Sequence, residues 1–156
     1  MTEPVPPRPT FGLALGEAAR KLGKLHRRAL ADLGSDFSNW MLLTLLAQRT
    51  GPIPVDEVVA ELDRRMDLAR PHVIDLLERT AAAGLLAHVP GKPVPTVALT
   101  ESGSAHYAKL YAHARKTTDA ACADIDPATL DAAITVLLAV DARATSLLGS
   151  QAPQGV

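Results

Sequence analysis

Between Phe11 and about Leu33 the apolar residues Leu15, Ala18, Ala19, Leu22, Leu25, Ala29 and Leu33 recur every three or four positions. That spacing predicts an amphipathic helix of several turns, ended by Gly34. Ser35-Asp36-Phe37-Ser38 supplies capping residues for a second helix, Asn39 to about Gln48, in which Trp40, Leu42, Leu43, Leu45 and Leu46 are apolar almost all round; a helix of that pattern is buried. Gly51-Pro52-Ile53-Pro54 stops it and leaves room for a very short extended piece.

Val55 to Leu62 reads as a short helix with Val58, Val59 and Leu62 inward, followed by a turn, Asp63-Arg64-Arg65-Met66. Asp67 is positioned to cap the next helix, Leu68 to about Ala82, whose inner stripe is Val73, Leu76, Leu77 and Thr80. Pro71 fits there because first-turn amides have no intrahelical acceptor. After Gly84, two strand-like runs, 85–89 and 96–99, flank a turn rich in proline and glycine and predict a hairpin. Thr100 caps a fifth helix, about Glu101 to Ala123, and Asp126-Pro127 opens a sixth, Ala128 to Leu148, with Leu130, Ile134, Leu137, Leu138 and Leu148 in its stripe.

Two short helices joined by a tight turn and followed directly by a hairpin form a winged helix-turn-helix, here about residues 37–100. The expected fold is mainly α with a small β-hairpin wing. One domain spans 11–149 between a disordered N-terminal arm (1–10) and a flexible tail (150–156). The long helices outside the module, 11–33 and 101–148, need something to pack on, and a second copy across a two-fold axis is the simplest solution.

Composition narrows the chemistry. With 47% apolar and 21% charged residues the chain is globular, and its net charge of -1 means that any nucleic-acid surface must be local. The single Cys122 excludes an internal disulfide and a multi-cysteine metal site and fits a reducing compartment. MTEPVPPRP lacks the pattern of a signal peptide, and no apolar run approaches a bilayer span, so the expected location is cytoplasmic, with no membrane partner. The first helix carries a basic cluster, Arg20, Lys21, Lys24, Arg27 and Arg28, which reads as a solvated face or as a DNA or partner contact.

Catalytic constellations are missing: there is no Gly-x-Ser-x-Gly elbow, phosphate loop or His-Glu-x-x-His. His106 and His113 share a helix face without a carboxylate or cysteine at ligand spacing, and Cys122 among alanines reads as a structural thiol. Neither an enzyme nor a cofactor-dependent protein is expected.

The chain resembles the MarR family of bacterial transcription regulators. The matching segments are Trp40-Met41-Leu42-Leu43, the run from Leu68 to Arg79, the turn Ala83-Gly84-Leu85-Leu86 and the wing exit from Val97 to Gly103. The resemblance implies a homodimer in which the first and last two helices interlock. It also implies a repressor, less often an activator, with double-stranded DNA as partner and a small lipophilic or phenolic effector. The helix Leu68–Ala82 would then enter the major groove. Arg70 would donate to guanine and His72 would donate or accept, while Arg64 and Arg65 would hold phosphates or the helix. Arg79 suits DNA, a pair with Asp75 or the helix dipole equally.

The wing departs from the family pattern, in which an arginine at the tip reaches the minor groove; here the shorter tip Gly91-Lys92-Pro93-Val94 offers only Lys92. Between Arg64 and Lys92, five basic residues stand against three acidic ones, a modest surplus for phosphate neutralisation. The effector-site candidates are His26, Trp40, Met41, Leu45, His106, Tyr107 and Tyr111. Trp40 serves equally as a core anchor, and the two tyrosines as part of a dimer contact. The alternative function is a dimer of this type diverted from DNA to small-molecule or protein-partner binding.

Overall fold

The structure, a computed structural model, describes residues 8–90 and 94–150. Most of the expected N-terminal arm, the tail beyond residue 150 and Lys92 at the wing tip lie outside these residues. The elements run α1 (Phe11–Ala31), α2 (Phe37–Ala47), β1 (Ile53–Pro54), α3 (Val55–Met66), α4 (Arg70–Ala82), β2 (Leu86–Val89), β3 (Thr96–Leu99), α5 (Glu101–Ala121) and α6 (Pro127–Ser150). The mainly helical fold with a hairpin wing is the one expected. The chain divides into two compact units, Met1–Ala121 and Cys122–Val156.

In the first unit α2 serves two cores at once, which explains why it is apolar all round. Leu42, Leu45 and Leu46 join Val58 and Leu62 of α3, Val73, Leu76 and Leu77 of α4, and Leu86 and Val97 of the wing in one buried cluster. Leu43 points into a second cluster with Leu30 of α1 and Leu110 of α5, flanked by Trp40, Leu85, Leu99 and Tyr107. Each fully buried leucine contributes about 1.5–3 kcal/mol of burial free energy, so α2 ties the helix-turn-helix to the α1–α5 pair.

The sheet order is β1-β3-β2, both pairings antiparallel. In the hairpin Leu86 lies opposite Leu99 and Val89 opposite Thr96, placing Leu86 and Val97 on the core face. β1 adds two residues, Ile53 opposite Val97 and Pro54 opposite Thr96. Immediately after it the Val55 N–H donates to the Pro95 carbonyl at 3.0 Å, joining the start of α3 to the base of the wing.

Two boundaries differ from the sequence reading. Asp63-Arg64-Arg65-Met66 is the last turn of α3, not a separate turn. Asp67 does not cap α4: it ends α3 in the left-handed conformation (φ 51°), and its N–H donates to the Asp63 carbonyl. Aspartate tolerates that backbone region better than most residues, so one acidic residue between two helices suits either role. Ala69 takes the N-cap position of α4 with no side-chain hydrogen bond, and Pro71 falls in the first turn.

The α4–wing–α5 corner is tightly built. Gly84 (φ +73°) turns the chain, and its carbonyl accepts from the Thr100 hydroxyl at 2.7 Å. Thr100 caps α5 as expected, its Oγ1 accepting from the Gly103 N–H at 2.9 Å. Its own N–H donates to the Leu85 carbonyl at 3.1 Å. Gly103 is buried against that same carbonyl, and a Cβ at this position would overlap the Leu85 oxygen.

The second unit contains α6, opened by Asp126, whose Oδ2 accepts from the Thr129 N–H (3.0 Å) and hydroxyl (3.1 Å). Ile134, Leu137, Leu138 and Leu148 are all exposed along it. Pro127–Gly149 is long and apolar enough to cross a membrane by length and composition, with a mean hydropathy of 1.5. This corrects the expectation that no segment approaches a bilayer span. Asp131, Asp141 and Arg143 interrupt the apolar run in the sequence, but the mean along the helix stays high.

Candidate functional site

Two surfaces of the first unit bring the predicted residues together. The first is the outer face of α3 and α4. Burying Val73, Leu76, Leu77 and Thr80 turns the opposite side of α4 to solvent, with Arg70 and His72 exposed in its first turn and Arg79 in its last. This is the geometry that the inner-stripe pattern predicts.

The arginines here are not free. Arg70 Nη1 donates to Asp56 Oδ1 of α3 at 2.8 Å, and Arg79 Nε donates to Asp75 Oδ2 at 2.9 Å. Arg64 Nη2 and Arg65 Nε converge on Glu61 Oε2 at 2.9 and 3.0 Å. The hydrogen bond and charge of Arg64, reinforced by Arg65 and opposed by slight burial, hold the Glu61 carboxyl below its ordinary value. The lowered value means that Glu61 adds stability above the unfolded-state pKa, and the contribution is lost as pH falls through the folded one. Arg49, just beyond α2, pairs with Glu57 of α3 at 2.8 Å.

Counted from the start of α3, four arginines face seven carboxylates between Val55 and Ala82. The modest positive surplus expected from residue 64 onward becomes a deficit once the acidic face of α3 is included. Arg79 takes the pair with Asp75 that its spacing allowed. The Asp56–Arg70 pair, fourteen positions apart, has no such sequence signal.

The second surface is a groove of about 280 Å³ between α1, α2 and α5, lined by His26, Trp40, Tyr111, Arg115, Thr118 and Asp119. His26 Nε2 and Thr118 Oγ1 share a hydrogen bond of 2.7 Å. The Trp40 ring stacks on Tyr107 and Tyr111, with centroids 5.6 and 6.3 Å apart and planes 27° and 17° off parallel. Arg115 and Asp119 pair at 3.6 Å along α5. The groove therefore combines an aromatic wall with imidazole, hydroxyl and ionic groups.

Of the seven effector-site candidates, His26, Trp40 and Tyr111 line this groove, and Tyr107 supports it from behind through the stack. Leu45 and Met41 do not belong to it: Leu45 is fully buried in the helix-turn-helix core, and Met41 packs against the same core. His106 lies instead in a separate hollow of about 330 Å³ with Asp36, Asn39, Arg79 and Thr80. Arg115, Thr118 and Asp119 were missed, although with Tyr111 they follow the i, i+4, i+7, i+8 spacing of one helical face. Among the described residues no group of three or more histidine, cysteine or acidic side chains is arranged to hold a metal.

No family model and no curated protein matches the sequence. Solved structures do match the fold. A MarR-family transcriptional regulator from Rhodococcus sp. RHA1 superposes with a TM-score of 0.71 at 16% identity, over 83% of this chain and 92% of that one. A MarR-family protein from Mycobacterium tuberculosis in complex with DNA gives 0.70 at 20% identity, over 85% and 98%. Bordetella bronchiseptica BpsR, whose DNA binding is regulated by 6-hydroxynicotinic acid, gives 0.68 at 20% identity, over 88% and 99%.

Proposed function

The chain has the fold of the MarR-family regulators, and from that premise we propose that it is a cytoplasmic, DNA-binding transcription regulator, acting as a homodimer and as a repressor, with α4 as its reading helix. The observation that carries the proposal is the exposure of Arg70 and His72 in the first turn of a helix whose other side is anchored in the core. A long donor at a helix start suits the major groove. Arg64, Arg65 and Arg79 line the flanks as phosphate contacts, with Lys92 at the wing tip assigned to DNA as well. The M. tuberculosis protein of this fold was solved with DNA.

Self-association gives the exposed apolar residues of α6 a partner. The charges Asp131, Asp141 and Arg143 within that helix oppose insertion into lipid.

Fluorescence anisotropy with the DNA upstream of the chain's own gene tests this reading. The expected result is a sequence-specific complex weakened by salt. In Arg70→Ala, discrimination against unrelated DNA falls by roughly ten- to a hundred-fold, the worth of one bidentate arginine–guanine contact, while the dimer persists. Absence of any sequence preference in the wild type at low salt would leave the second reading, a dimer diverted to small-molecule or partner binding, which the carboxylate excess on α3 and α4 favours.

We further propose that the α1–α2–α5 groove takes a small aromatic effector that lowers DNA affinity. Trp40 is the only tryptophan in the chain, so its emission reports the groove directly. Simple phenols and aromatic carboxylates are expected to quench it saturably and to shift the DNA isotherm over the same concentrations. Quenching without any change in DNA affinity would sink the coupling.

A further inference from the structure

Asp56 does not read DNA, yet it sits on the residue that would. It lies in the first turn of α3, next to Val55, whose N–H is held by the wing-base carbonyl of Pro95. Its Oδ1 takes Nη1 of Arg70 across the gap between the two helices at 2.8 Å, with both side chains more than half exposed. Asp75 takes Nε of Arg79 and Glu61 takes Nε of Arg65. Asp56 instead takes a terminal nitrogen. An arginine reading guanine aligns two N–H donors with the O6 and N7 edge, and a carboxylate seated on Nη1 competes with the base for that alignment.

We propose that Asp56 is a restraint on the reading residue, holding Arg70 in the free protein so that a guanine has to displace the carboxylate before it is read. The inference rests on the DNA-binding reading above. Exchange of the Asp56 carboxylate for a bidentate guanine edge is close to balanced, because an exposed ion pair is weak. Non-specific DNA offers Arg70 at most a phosphate, and there Arg70 can stay on Asp56 with no pair lost. The carboxylate therefore lowers binding to all DNA through its charge, and the pair lowers it further where Arg70 has to leave, at the guanine.

A double-mutant cycle tests this, using the full-length protein, its upstream DNA and an unrelated duplex, with Asp56→Asn, Arg70→Ala and the double variant measured by anisotropy at one salt concentration. Removing a negative charge raises affinity in any background, so the readout is the difference between backgrounds. Asp56→Asn is expected to gain about two- to five-fold more affinity for the upstream duplex in the wild type than in Arg70→Ala, the range of an exposed pair, and to widen the gap between the two duplexes. Equal gains in both backgrounds would show that Asp56 acts as bulk charge and overturn the proposal. A loss of specific affinity in Asp56→Asn would show that the carboxylate orients Arg70 for reading, and overturn it too. A wild type with no preference for the upstream duplex defeats the DNA-binding reading itself and this inference with it, an outcome distinct from the other two. Unchanged circular dichroism and melting in each variant exclude unfolding as the source of a loss.

Discussion

Gly103→Ala is expected to lower the melting temperature by about 3–9 °C, although glycine to alanine inside a helix ordinarily stabilises by about 1 kcal/mol. The sign reverses because the new methyl group meets the Leu85 carbonyl oxygen, a backbone atom with no rotamer to yield. That carbonyl is itself fixed, accepting the Thr100 N–H, while the Thr100 hydroxyl caps α5 and reaches Gly84. Relief therefore requires α5 to move away from the wing, breaking a cap and two linked hydrogen bonds. Overpacking of this kind costs about 1–3 kcal/mol, occasionally more. The helix-propensity gain and the lost cap, about 1 kcal/mol each, roughly cancel, so the net is about 1–3 kcal/mol. At roughly 3 °C per kcal/mol for a chain of this size, the melting shift follows. Thermal unfolding at a fixed protein concentration checks it, since any self-association makes the midpoint depend on concentration. A midpoint equal to or above the wild type would show that the corner relaxes freely.

Leu110→Ala is expected to cost about 2–5 kcal/mol, the range for deleting a fully buried leucine side chain where the cavity cannot collapse. Leu110 is 0% exposed and meets Leu30 of α1 and Leu43 of α2, three helices that approach from different directions and cannot all close on the same void. This second core also backs the aromatic stack, so the substitution should broaden or shift Trp40 emission in the folded state before any unfolding begins. Chemical denaturation followed by tryptophan fluorescence and by circular dichroism measures both effects. A loss well under 1 kcal/mol would mean that Leu30 and Leu43 repack into the space. Leu110→Met, which nearly conserves volume, should recover most of the stability.

Much of the architecture was legible because local signals agreed with the global pattern. The first helix, the Val73/Leu76/Leu77/Thr80 stripe of α4, the turn at Gly84 and the Thr100 cap all recur in the structure where the sequence placed them. The stripe of the first helix differs: Leu25 and Leu33 are exposed, and Leu30, outside the expected stripe, is the buried leucine of α1. The boundary between α3 and α4 was less legible. Asp67 fits a helix start by composition and a left-handed helix end by conformation, and only the backbone decides between them. The effector-site candidates were separated for a related reason. An all-apolar α2 carries no periodic mark of which side faces which core, so Met41 and Leu45 could not be told from Trp40 by pattern. The ion pairs divide by distance along the chain: Arg79–Asp75 lies within one helical turn and was legible, whereas Arg70–Asp56 spans two helices.

The proline in β1 has a consequence for the protein's behaviour at high concentration. A sheet edge with unpaired N–H and C=O groups can recruit a strand from another molecule and start a chain of such additions. Here the sheet ends on one side in a strand only two residues long, one of them Pro54, which has no N–H to offer. The next amide along the chain, Val55, is already committed to Pro95. That side of the wing cannot template cross-strand polymerisation, so among the described strands any pairing between the sheets of molecules concentrated in a tube has to run through the β2 edge.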